Sequence, residues 1–106
     1  MGYGCVMYAI EQSESFMRWH ARLRDRHARL RIDARLRRME FGHFGDVKHV
    51  GDGVREARID YGPGYRIYYI HRAEKLVVLL MGGDKSSQDR DIRRAIQIAA
   101  AWDSDQ

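Results

Sequence analysis

Three cations stand at short intervals in the second half of the chain: Arg58, Arg66 and Lys85. Each lies in, or just beyond, a run that reads as a β-strand. Residues 54–61 (VREARIDY) alternate from Ala57 onward, with Arg58 and Asp60 opposite the apolar positions. Gly62-Pro63-Gly64 signals a turn, because proline fixes φ and glycine accepts positive φ. Residues 65–71 (YRIYYIH) are aromatic and β-branched, and a second turn falls near Ala73 and Glu74. Residues 76–81 (LVVLLM) are unbroken apolar, as a strand buried on both faces would be, and Gly82-Gly83-Asp84-Lys85 closes the run. The three runs read as an antiparallel meander on which Arg58, Arg66 and Lys85 can converge. By the period of two, Arg66, Tyr68 and Ile70 share one face and Tyr65, Ile67 and Tyr69 the other. Ile67 assigns the odd set to the core, leaving Arg66 and Tyr68 facing outward beside Arg58.

A basic, aromatic sheet face has a chemical use on RNA. Cleaving a phosphodiester through its own 2′-hydroxyl needs in-line geometry, positive charge on the developing phosphorane, and proton transfer to and from oxygen. Arginine and lysine supply the charge, and an exposed tyrosine can stack a base. The available proton carriers are Glu56, His49, Lys48, Tyr61 and Asp84, and the residues alone do not choose among them. The candidate catalytic set is therefore Arg58, Arg66, Lys85 and Glu56, with Lys48, His49, Tyr61, Tyr68 and Asp84 as substrate contacts. The competing structural role for Arg58 and Arg66 is cross-strand pairing with Glu56 or Asp60. The five histidines lack the spacing of a metal cage. There is no Gly-x-Ser-x-Gly elbow, and Cys5 is the lone cysteine, without a local base. Neither a metal, nor a cofactor, nor a covalent nucleophile is expected.

The elements around the meander must hold these groups in place. The 106 residues are enough for one modest core, and one domain over 1–106 is expected. An apolar fraction of 44% argues against disorder. The net charge of +4 rests on sixteen arginines against three lysines, a bias that fits a nucleic acid or acidic protein partner and equally a GC-rich genome. No membrane-length apolar run or signal-peptide core is present, so a cytoplasmic protein is expected. Residues 5–10 (CVMYAI) form a strand candidate. Ser13 can cap a helix carrying Phe16, Trp19 and Leu23 on one face. A second stripe, Ala28, Ile32, Leu36 and Met39, is out of phase with the first, which breaks the segment into two helices at Asp25. Residues 14–40 hold nine of the sixteen arginines, either a solvated helix face or a phosphate-binding surface.

The glycine-rich stretch 42–53 lacks the G-K-[ST] ending of a phosphate loop and reads as a loop delivering Lys48 and His49 to the sheet edge. Ser86 and Asp89 resemble a capping box for a last helix with the stripe Ile92, Ala95, Ile96, Ala99 and Trp102. The resulting order is β-α-α-β-β-β-α, an α+β fold with helices packed on one side of a small, twisted, mainly antiparallel sheet.

The runs VREARIDYGPGYRIYY and VVLLMGGDKSSQDRDIRRA, with YAIEQSESFMRW and FGHFGDVKHVG before them, carry a resemblance. Over about residues 7–102 the chain resembles the RelE/ParE superfamily of type II toxin–antitoxin toxins, in its HigB-like, addiction-module killer branch. The resemblance implies a RelE-like fold and a small toxin neutralised by a cognate helix-turn-helix antitoxin in a toxin–antitoxin hetero-oligomer. It implies an mRNA endoribonuclease working on the ribosome and inhibiting translation, with a ParE-like gyrase inhibitor as the alternative. The basic residues of RelE-like toxins map onto Arg58, Arg66 and Lys85. Two positions depart from RelE proper: a lysine two residues before Arg58 is Glu56 here, and the tyrosine of its last helix has no match near Asp91. RelE's proton-transfer scheme therefore does not carry over, which keeps Glu56 and Asp84 in play.

Overall fold

The computed structural model describes residues 7–105. The elements run β1 (Ala9–Gln12), α1 (Glu14–Ala21), α2 (Arg26–Glu40), β2 (Val47–Gly51), β3 (Val54–Ile59), β4 (Tyr65–Arg72), β5 (Leu76–Asp84) and α3 (Gln88–Ser104). The strands form one sheet in the order β1-β5-β4-β3-β2. All neighbours are antiparallel except β1, which lies parallel to β5. This is the expected α+β class with an antiparallel-dominated sheet.

Both helix starts fall where the sequence places them. The Ser13 hydroxyl accepts from the Phe16 amide at 3.0 Å and donates to the Leu80 carbonyl at 2.6 Å, so one residue caps α1 and fastens it to β5. Asp25 Oδ1 accepts from the amides of His27 and Ala28 at 3.0 and 3.2 Å. Those bonds hold its carboxyl below the usual range. The phase slip in the apolar stripe is thus a real helix break.

The sheet carries apolar side chains on both faces. Phe16, Ile32 and Met39 of the helix pair pack with Ala57, Ile59, Ile67, Tyr69, Val77 and Leu79. Ala95 and Ala99 of α3 pack with Val54, Tyr68, Ile70, Val78 and Leu80. The pair α1–α2 covers one side, and α3 lies across the face carrying the even-numbered residues of β4. Two anchors hold α3 there. Arg72 makes a bidentate bond to Asp103 at 2.9 and 2.7 Å near its C-terminus, and Gln88 reaches Glu56 near its N-terminus.

Four expectations about the elements need correction. The first strand begins at Ala9, later than residues 5–10; Cys5 and Val6 lie outside the described residues. The stretch read as a delivery loop contains β2, an edge strand whose Val47 packs against the helix-pair core. Strand β5 does not stop at Met81 but pairs on through Gly82 and Gly83, opposite Ile67 and Arg66. Glycine is needed at both: an added Cβ would enter the Trp19 ring at position 82 and the Asp91 carboxylate at position 83. The caps differ too. Asp84, not Ser86, opens the connection, accepting from the Ser86 amide at 2.9 Å ahead of a single 3-10 turn, Lys85–Ser87.

Candidate functional site

The α3 face of the sheet is only partly covered. Along β3 it presents Val54, Glu56 and Arg58 in sequence, and along β4 Ile70, Tyr68 and Arg66. Helix α3 seals the first two positions of each strand. Beyond them the face opens into a cleft of about 560 Å³, lined by Asp46, Arg58, Asp60, Arg66, Lys85 and the Gly62-Pro63-Gly64 turn. Arg58 and Arg66 are direct cross-strand partners there, two like charges side by side. Such a pair is destabilising unless anions attend it.

Each cation is held differently. Arg58 Nη2 meets Asp46 Oδ1 at 3.2 Å, and its side chain is 38% exposed. The backbone beneath it is fixed by buried Arg35 of α2, whose Nη2 donates to the Arg58 carbonyl at 2.8 Å. Arg66 is more enclosed: its Nη1 donates to the Gly64 carbonyl at 3.0 Å and its Nε lies 3.8 Å from Glu56 Oε1. Gly64 has φ +79°, and a Cβ there would crowd the Arg66 guanidinium at 3.2 Å. Lys85 is exposed, and its backbone amide is tied to the Pro63 carbonyl at 3.3 Å, so the turn fixes where the lysine stands.

Among the expected site residues, Arg58, Arg66 and Lys85 come together in the cleft, and Glu56 sits behind Arg66. Glu56 has no solvent exposure, and its Oε2 accepts from Gln88 Nε2 at 2.7 Å. Enclosed in this way, the carboxylate does not line the cleft, and its place behind Arg66 corrects the expectation that it would meet a substrate. Tyr68 is corrected outright: it is fully buried beneath α3 and cannot stack a base. Burial, then the charges of Glu56 and Asp91, raise its pKa far above that of a free phenol. Period-two reasoning found its face, but the α3 stripe covers that face at Tyr68 and not at Arg66.

Four further expectations are relocated. Tyr61 turns toward α2, where its hydroxyl donates to Asp25 at 3.2 Å and its ring carries the Arg31 guanidinium 4.7 Å from its centroid. Asp84 is occupied as a cap, accepting from the Ser86 amide and hydroxyl. Lys48 and His49 are exposed on edge strand β2, paired with Glu56 and Arg55 respectively. They therefore point to opposite faces, with Lys48 on the cleft side and His49 away from it; neither lines the cleft. Asp46, which does line it, carries no motif in the sequence; its one signal is a place two residues before Lys48 on the same face. Among the described residues no three His, Cys, Asp or Glu side chains gather as metal ligands would, and no helix is long and apolar enough to cross a membrane.

The open end of the sheet therefore gathers three cations, Arg58, Arg66 and Lys85, with two carboxylates, Asp46 and Asp60. Residues 22–101 match the family of phage-derived proteins described as Gp49-like (DUF891), and the chain belongs to that family. It is also 47% identical over 90 residues to an uncharacterized protein of Haemophilus influenzae (strain Rd KW20), a match that spans 85% of this chain and 91% of that one.

Proposed function

We propose that this chain is the toxin of a type II toxin–antitoxin pair, in the RelE/ParE superfamily. It acts as an endoribonuclease on mRNA at the ribosome and is silenced by a cognate helix-turn-helix antitoxin. The observation that carries the reading is the convergence of Arg58, Arg66 and Lys85 in one open cleft. Membership of the Gp49-like family supports it.

In the proposed reaction the 2′-oxygen of one nucleotide attacks the adjacent phosphorus and the bond to the 5′-oxygen breaks. A 2′,3′-cyclic phosphate and a free 5′-hydroxyl result. Arg58 and Arg66 neutralise the charge that builds on the equatorial oxygens, a fixed electrostatic contribution that needs no reorganisation during the reaction. Asp46 and Asp60 are the carboxylates that line the cleft, and one of them accepts the proton of the 2′-hydroxyl. Lys85, at the opposite rim, supplies a proton to the departing 5′-oxygen.

Primer extension on a reporter transcript after brief induction tests the reading. Cuts confined to the translated region support it. Intact transcripts together with a DNA-damage response would replace it with gyrase inhibition by binding.

A further inference from the structure

The cleft is not isolated. A second depression, lined by Arg31, Ala34, Arg35 and Arg38 of α2, shares Ile59 and Asp60 with it. A third, lined by Ser87, Gln88, Asp89, Arg90 and Arg93 at the start of α3, shares Lys85 with it. The three are therefore contiguous. They lead from the helix-pair side of the sheet, around the strand ends, to the α3 side. Eight cations and three carboxylates line the whole path. Asp46 is already paired with Arg58, so the excess positive charge is distributed along the path and not only at its centre.

We infer that this path is an extended binding track for single-stranded RNA, with Arg31 and Arg38 holding phosphates on one side of the central cleft and Arg90 and Arg93 on the other. The inference rests on the nuclease reading for the identity of the strand. Shape selects a single strand. The track passes from one face to the other of a body whose shortest dimension is 23 Å. A nucleic-acid duplex, with a persistence length of about 50 nm for DNA, is too stiff to follow such a bend. All four flanking arginines are exposed; Arg31 lies over the Tyr61 ring and Arg90 Nε is 3.9 Å from Asp91, surface contacts that a phosphate can share or replace without unfolding the protein.

The test is fluorescence anisotropy with a labelled 12-nucleotide RNA made uncleavable by 2′-O-methyl riboses. Wild type is compared with Arg31→Ala/Arg38→Ala, Arg90→Ala/Arg93→Ala and a charge-matched control on α1 and its C-cap, Arg18→Ala/Arg22→Ala. Each arm variant should bind about tenfold more weakly, and its slope of log affinity against log salt should fall by about 1.4, roughly 0.7 for each lost contact. The control should match wild type, and a 4-nucleotide probe confined to the centre should not distinguish the arms. Arm variants that bind like wild type, a control that weakens as much as the arms, or equal competition by duplex RNA or polyglutamate would overturn the track. Cleavage of the reporter transcript is scored separately. Cuts that persist with indifferent arms remove the track and leave the nuclease. Arm-dependent binding without any cuts removes the nuclease and leaves a strand-binding track.

Discussion

Two halves of one sheet face behave oppositely. On β3 and β4 the same alternation that presents Glu56 and Tyr68 presents Arg58 and Arg66 one step further along. In the first half the polar atoms are sealed under α3, and the Tyr68 hydroxyl makes no hydrogen bond of good geometry. In the second half the sheet has no lid, and two guanidiniums stand side by side in an open cleft. The difference is the reach of α3, which is set by its anchors, Gln88 on Glu56 and Arg72 on Asp103. The sealed half belongs to the core and the open half is the one proposed to bind RNA, with the Glu56–Arg66 contact as the seam between them.

That contrast can be broken from either side. The largest effect belongs to the open half: Arg66→Ala should lower RNA cleavage by about 100- to 1,000-fold, as loss of a transition-state donor does. Its melting temperature should fall as well, because buried Glu56 loses its counter-charge, so cleavage is compared per folded molecule. At the seam, Glu56→Ala leaves Arg66 without its buried counter-charge and Gln88 without an acceptor. It should cost about 3 kcal/mol in a denaturant titration and lower activity as well. Glu56→Gln keeps the shape and should recover most of the stability but not all of the activity. In the sealed half, Gly83→Ala forces the Asp91 carboxylate and the start of α3 away. A loss of about 2 kcal/mol is expected by calorimetry, with a cleft that still binds RNA. Tyr68→Phe removes a hydroxyl that has no good partner and should change stability by less than about 1 kcal/mol. A large loss of activity in that variant would show that the sealed half takes part in the chemistry.

The smallest effect comes from the anchor between the turn and α2, outside both halves. The Asp25 carboxyl is held low chiefly by the Ala28 amide, with Tyr61 contributing. A depressed carboxylate stabilises the fold fully above its unfolded pKa, near 4, and loses that contribution as pH falls through its folded value. Tyr61→Phe should therefore leave cleavage unchanged and slightly reduce the advantage of neutral over acidic pH in thermal melts. If Tyr61→Phe impairs cleavage, the residue belongs to the site after all.

Much of this arrangement was legible in the chain. Ser13 and Asp25 announced their helices by side-chain chemistry and by the phase of the apolar stripe, and both cap as expected. The meander followed from period two and from Gly62-Pro63-Gly64. Period two also placed Arg58 and Arg66 on a common face. It could not say how far along that face a helix would reach, and so Tyr68 was expected at the surface. The apolar stripe of α3 was visible, yet nothing local tied it to one face of the sheet; Gln88–Glu56 and Arg72–Asp103 are long-range bonds. Strand β2 was obscured by the glycines that flank and end it, although Val47 and Val50 mark its apolar positions. Asp46 was invisible because its place in the cleft depends on β2 pairing with β3.

The most direct test is primer extension on a translated reporter after brief induction of wild type and of the Arg58→Ala/Arg66→Ala double variant, at matched protein levels. The wild type should cut within the coding region, while the folded double variant should leave the transcript whole. Cutting by the double variant, or intact transcript with wild type, would contradict a cleft whose cations act on RNA.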